Sequence, residues 1–186
     1  MRRQIKAVTP NLQPGLSNRM YYRCMNKPII SLEAAHGHNL VIANAKGIPW
    51  KLPADSKHWR SLIVGHAIVV GDATFKEQGV MQDSYNVVIS HDAGLAVDKG
   101  EVAPLVEEAL SIAAAHESSE IFVVGGASVF AQTIAHADKL YLTIIDVDVP
   151  DGIKFFPEYK ADFELINETS GHDNGLDFRF TIWQRK

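Results

Sequence analysis

The chain carries one cysteine, Cys24, in 186 residues, so it can form no internal disulfide and suits a reducing compartment. No apolar run approaches the roughly 18 residues a membrane-spanning helix needs. Excess positive charge is also missing. Lysine and arginine number 18 against 22 acidic residues, and a net charge of -4 with a pI near 6.0 removes the electrostatic ground for a nucleic-acid or anionic-membrane partner. The first 24 residues, by contrast, contain no acidic residue to face Arg2, Arg3, Lys6, Arg19 and Arg23, while Pro10 and Pro14 interrupt any helix and no apolar segment marks a secretory signal. Residues 1–24 read as a basic extension without fixed structure, with an organelle transit peptide as the alternative, and the folded domain as 25–186. No G-x-S-x-G, P-loop or Cys–His pair offers an activated nucleophile. The eight histidines (36, 38, 58, 66, 91, 116, 136 and 172) are scattered, with only His36 and His38 sharing one side of a loop, so no metal site is expected. These exclusions point to a cytoplasmic protein with a small-molecule or protein partner, and a monomer is expected.

What the sequence does have is a grammar of strands and helices. Apolar runs recur at 28–35, 67–71, 85–90, 120–126 and 139–146, nearly unbroken, as a sheet covered on both faces requires. Between them, 104–117 sets Leu105, Val106, Ala109, Leu110, Ile112 and Ala113 on one helical stripe with Glu107 and Glu108 outward. "DSKHWRSLI", "DATFKEQ" and "ASVFAQTIA" read as further helices, the last two after a glycine that ends a strand. The C-terminus changes to alternation around "HDNG", which predicts a closing antiparallel hairpin. The fold expected is a single α/β domain with a mixed, mainly parallel central sheet flanked by helices.

Two strand ends stand out. In "VVGGASVF" (123–130) a strand runs through Gly125 and Gly126 into a helix, so the amides of 126–128 form either an anion cradle or only a tight turn. "VVGDATF" (69–75) repeats the geometry with Gly71 and Thr74, and two such turns at one sheet edge suit a dinucleotide. "GIPWKLPADSKHW" (47–59) surrounds Asp55 with Trp50, Trp59 and prolines. Asp55 there is either a helix N-cap or a carboxylate that recognises a flat cationic or amidine-like group.

Taken together, "ISLEAA", "VIANAKGIPWKLPADSKHW", "AIVVGDATFKEQG", "NVVIS", "IFVVGGASVF", "KLYLTIID" and "FFP" resemble the dihydrofolate reductase family, in order and spacing, over residues 27–186. The resemblance implies hydride transfer from a reduced nicotinamide, NADPH or NADH, to the pterin of dihydrofolate. It implies that Asp55 binds and polarises the pterin with Thr143 as partner, and that Trp50 and Ile48 sit on a loop closing over the nicotinamide. It further implies a pterin pocket of Glu33, Ala34, Ile48, Trp59, Val124 and Phe130. The cofactor would lie along Ala35 and Ile42, the turn Gly71, Asp72, Ala73 and Thr74, the adenosine-side Ser90 and His91, and the turn Gly125, Gly126, Ala127, Ser128, Val129 and Phe130.

Departures from the family pattern leave other readings in play. Asp72 stands where a basic residue is usual and Asp92 is close by, with His91 the one nearby potential cation, so NADH competes with NADPH. Ser84 and Tyr85 occupy the place of the arginine that clamps the folate glutamate, and no arginine occurs between Arg60 and Arg179, leaving Lys57 or Arg60 for that role. A relative reducing another pterin or a riboflavin-pathway pyrimidine fits these departures, and a non-catalytic nucleotide-binding module would need Asp55 only as a cap. Glu33 is the last oddity, a carboxylate inside the apolar run of the first strand. Strand alternation sets it on the same face as Ala35 and so toward Asp55, where two carboxylates would titrate as a coupled pair. The competing expectation is that Glu33 turns aside to a nearby polar group.

Overall fold

The computed structural model describes residues 27–92, 94–117 and 119–186; the basic segment 1–24 lies outside them. The strands are β1 (Ile29–His36), β2 (Val41–Asn44), β3 (Ala67–Gly71), β4 (Tyr85–Ile89), β5 (Gly100–Ala103), β6 (Glu120–Val123), β7 (Lys139–Ile145), β8 (Gly152–Phe155), β9 (Phe163–Asp173) and β10 (Leu176–Arg185). The helices are α1 (Pro53–Ile63), α2 (Asp72–Gln78), α3 (Val106–His116) and α4 (Ala127–Thr133). Eight strands form one sheet in the order β5-β4-β3-β6-β1-β7-β10-β9, and β2 pairs with β8 in a separate ribbon. The pairings from β5 through β7 are parallel, while β10 runs antiparallel to both β7 and β9.

Burial on both faces explains the unbroken apolar strands. Ile30, Leu32, Ala34, Val69, Val87, Ile121 and Val123 pack with Ala109 and Ala113 of α3 and Val129 and Phe130 of α4. Ile68, Val70, Val88 and Phe122 face the other way, onto Ile63 of α1 and Phe75 of α2. Each such aliphatic side chain contributes about 1.5–3 kcal/mol through removal from water. At the far edge the predicted hairpin is present. Asn174 (φ 50) and Gly175 (φ 77) both take the left-handed conformation that a two-residue hairpin turn demands.

Two expectations change, and three strands are additional. Leu105 is not on the buried stripe of α3: it is the residue before the helix, in extended conformation and 58% exposed. His36 is not in a loop but ends β1, buried, with Nδ1 2.7 Å from the Gly37 carbonyl. The short strands β2, β5 and β8, four residues each, carry too little pattern to announce themselves.

The order of strands positions the site. After β1 the chain skips one place before laying down β3, and β6 fills the gap, so the C-terminal ends of β3 and β6 are neighbours. The Gly71 amide donates to the Gly125 carbonyl at 2.7 Å, tying the two glycine turns together at a topological switch of the sheet.

Candidate active site

Beside those turns, between the sheet and α1, lies a cavity of about 740 Å³. Its walls hold Glu33, Ala34 and Ala35 of β1, Ile42 of β2, Ile48 and Trp50 of the connecting loop, Asp55 and Trp59 of α1, Thr74 of α2, and Val124, Gly126, Ala127 and Phe130 after β6. Sequence-predicted residues from segments almost 100 positions apart thus line one space.

Asp55 does not cap α1. The helix starts at Pro53, whose missing amide suits the first helical position, and Leu52 precedes it with no side-chain cap. The unpaired amide of Ala54 instead donates to Asp173 Oδ2 at 2.7 Å, and Asn174 Nδ2 donates to the Lys51 carbonyl at 2.8 Å. The tip of the β9–β10 hairpin therefore holds the loop and helix start from outside, freeing the Asp55 side chain to enter the cavity. Phe178 packs with Leu52 in the same region, and Phe180 stacks on His58 at 4.0 Å. Asp173→Ala should lower stability by about 1 kcal/mol, as loss of a helix cap does. It should also reduce kcat/KM several-fold, with Asp173→Asn recovering part of both, as melting and steady-state kinetics would record.

The Asp55 carboxylate is buried enough to raise its pKa above the ordinary 3.8, and a hydrogen bond with Thr143 partly lowers it again. Its Oδ1 is buried with no partner. Thr143 itself is 1% exposed and stands behind Asp55 on β7, opposite Ala35 in the strand register. Glu33 shares the face of Ala35, as alternation requires, and is 8% exposed. Burial first, and the Asp55 charge second, hold its proton well above the ordinary carboxylate range. Because Asp55 has Thr143 to support its anion, Asp55 ionises first and Glu33 meets its charge.

The residues expected to meet the adenosine end of a cofactor lie outside this cavity. Ser90 is buried at the end of β4, accepting from the Asp92 amide at 3.1 Å, and His91 is exposed. Asp72 opens α2, with Oδ2 2.8 Å from Lys76 Nζ and Oδ1 buried without a partner. Lys76 feels both Asp72 and Asp92, so His91 is not the only potential cation there. Lys76 lies one helical turn beyond Asp72, and only this i,i+4 spacing signals the pair in the sequence. Ala73 and Ser128 are exposed, and Val129 turns its side chain into the core, its amide bonded to the Gly126 carbonyl, so it can offer a cofactor little but backbone shape. A Cβ on Gly126 would stand 3.0 Å from Thr74 Oγ1, so the two turns approach closely. Lys51, Leu52 and Lys154 also line the cavity without having been expected.

The family model for dihydrofolate reductase matches residues 29–185. The chain belongs to the dihydrofolate reductase family. Among its relatives, dihydrofolate reductase type 3 of Salmonella typhimurium is 36% identical over 132 residues, covering 70% of this chain and 80% of that one. The dihydrofolate reductase of Bacillus subtilis is 28% identical over 163 residues, covering 85% and 95%. A solved dihydrofolate reductase from Enterococcus faecalis, complexed with NADP(H) and RAB-propyl, superposes with a TM-score of 0.76 at 25% identity, covering 87% of this chain and 98% of that one. The dihydrofolate reductase fold expected from the motifs is thus the fold observed, including the strand-Gly-Gly-helix turn and the loop bearing Trp50.

Proposed function

We propose that the chain reduces 7,8-dihydrofolate to tetrahydrofolate with NADPH, and that the carrying observation is the unpartnered, buried Oδ1 of Asp55 in the cavity. A carboxylate anchored by Thr143 on one side and unsatisfied on the other accepts the amino and ring N–H donors of a pterin, a paired geometry that also favours the protonated substrate. The residues present fit a reduced nicotinamide dinucleotide: the turns at Gly71 and Gly126 lie so close that a Cβ on either would crowd Val129 or Thr74, and Ala35, Ile42 and Phe130 flank the cavity beside them. When bound, that cofactor supplies the hydride, while the proton that completes the reduction comes from solvent to a substrate polarised by Asp55. Trp50 and Ile48 line the cavity, where closing over bound rings would exclude water from them. We read the protein as a cytoplasmic monomer with a domain spanning 25–186. The net negative charge supports a small-molecule partner without nucleic acid or membrane, and no helix among the described residues is long and apolar enough to cross a bilayer.

The test is oxidation of NADPH by purified protein in the presence of dihydrofolate, followed by absorbance; no turnover with either NADPH or NADH would end the assignment. The same assay with unconjugated dihydropterin decides a second reading. Ser84, in place of the tail-binding arginine, is buried and donates to the Ile63 carbonyl at 2.8 Å, so it cannot grip a glutamate tail. Comparable rates on both substrates would favour a pterin without the tail. Asp72→Arg would release Lys76 and remove one of the two adenosine-side acids, so the NADPH-to-NADH preference should rise several-fold. An unchanged ratio would show that Asp72 does not face the cofactor.

A further inference from the structure

Ser31, Glu33 and Ala35 share one face of β1, and Ile30, Leu32 and Ala34 the other. The second set builds core. Glu33 and Ala35 of the first set line the cavity, where Glu33 shares the wall with Asp55. None of the ion pairs or side-chain hydrogen bonds formed among the described residues involves Glu33. The expectation that it turns aside to a polar partner is therefore not met. The remaining charged groups on the cavity are Lys51, Lys57 and Arg60 around α1, Glu77 on α2 and Lys154 on β8, and the cross-strand neighbour of Glu33 is Tyr141, a phenol drawn toward Glu120. No cation compensates Glu33, and an uncompensated buried carboxyl favours its neutral form.

A neutral carboxyl differs chemically from its ionised neighbour. Asp55 as an anion only accepts hydrogen bonds, whereas Glu33 with its proton offers one O–H donor and one carbonyl acceptor on the same group. A flat heterocycle seated between them meets an acceptor-only wall on one side and a donor–acceptor wall on the other. On the reading that this cavity binds a pterin, we propose that Glu33 is a second ring-recognising group, hydrogen-bonding the polar edge of the heterocycle and determining which ring systems the site accepts. It touches neither the hydride nor the transferred proton, so its effect is on binding and selectivity. A lactam edge takes the O–H of Glu33, and an aminopyrimidine edge gives its N–H to the carbonyl. Ionisation of Glu33 would remove the donor and set a second anion against a ring carbonyl.

The test uses the intact chain and its Glu33→Ile and Glu33→Gln variants, with dihydrofolate as substrate and a 2,4-diaminopyrimidine as probe. Glu33→Ile should raise the KM for dihydrofolate about tenfold, the loss of one buried hydrogen bond, with a smaller change in kcat. Glu33→Gln, which keeps a donor and an acceptor, should recover most of that loss. In the parent protein KM should climb as pH rises through the pKa of Glu33, and in Glu33→Gln that climb should vanish. Probe affinity, read as a ligand-induced rise in melting temperature, should fall in Glu33→Ile independently of turnover, so the role of Glu33 remains measurable even if dihydrofolate proves not to be the substrate. Wild-type KM and probe affinity in Glu33→Ile would overturn the proposal, as would a Glu33→Gln variant as impaired as Glu33→Ile, whatever happens to stability.

Discussion

Asp55→Asn should lower kcat by roughly 10²–10⁴-fold at neutral pH, the range that assistance to a proton transfer contributes. Asparagine has the size of aspartate and can keep a contact with Thr143, but it holds no charge to favour a protonated pterin. The deficit should shrink as pH falls, because solvent then protonates the substrate without help. Stability separates this loss from misfolding. Burial raises the Asp55 pKa above 3.8, so the folded state resists its ionisation, and whatever Asp55 contributes to stability is present below that value and lost as pH rises through the folded pKa. Asp55→Asn should therefore melt at or above the parent temperature at neutral pH. Activity within a few-fold of the parent would show that another group carries the role, and a lowered melting temperature would mean that the carboxylate is structural.

The sheet and its glycine turns were legible because local pattern and global need agree there. Runs such as "AIVVG" can be buried on both faces only in a covered parallel sheet, and a glycine at each end reports where backbones meet, as the Gly71–Gly125 hydrogen bond bears out. Glu33 was legible for the same reason: period-two alternation fixes its face whatever its chemistry. The cap of α1 was not. "LPAD" places an aspartate where a cap is wanted, but the cap comes from Asp173, 119 residues downstream of Ala54, and no local signal encodes that contact. Strands β2, β5 and β8 escaped because each is defined by its partner more than by its own residues. Around Gly71 the neighbours of the glycine were readable one by one, but the pairing of Asp72 with Lys76 depends on the helical turn that joins them.

In the ligand-free protein, Glu33→Gln should flatten the fall of stability with rising pH. The carboxyl of Glu33 ionises near 4.5 when unfolded and well above that when folded, because burial and then Asp55 oppose its charge. Between those two values the folded state binds more protons than the unfolded one, so the stability Glu33 contributes is complete below about 4.5 and drains away as pH climbs through its folded pKa. For a single proton the slope approaches 1.4 kcal/mol per pH unit inside that window. Glutamine, always neutral, has no such slope, so the variant should gain on the parent as pH rises from about 4.5 through the folded pKa of Glu33. Urea unfolding at a series of pH values measures this as a difference between two curves. Buried His36 and partly buried His58, whose pKa values are lowered, make stability rise with pH instead, but they are common to both proteins and cancel in the difference. Parallel curves would show that Glu33 titrates as it does in water. A widening gap would show that the fold gives up stability at neutral pH to keep a carboxyl on the cavity wall, a sacrifice characteristic of groups retained for binding and not for the core.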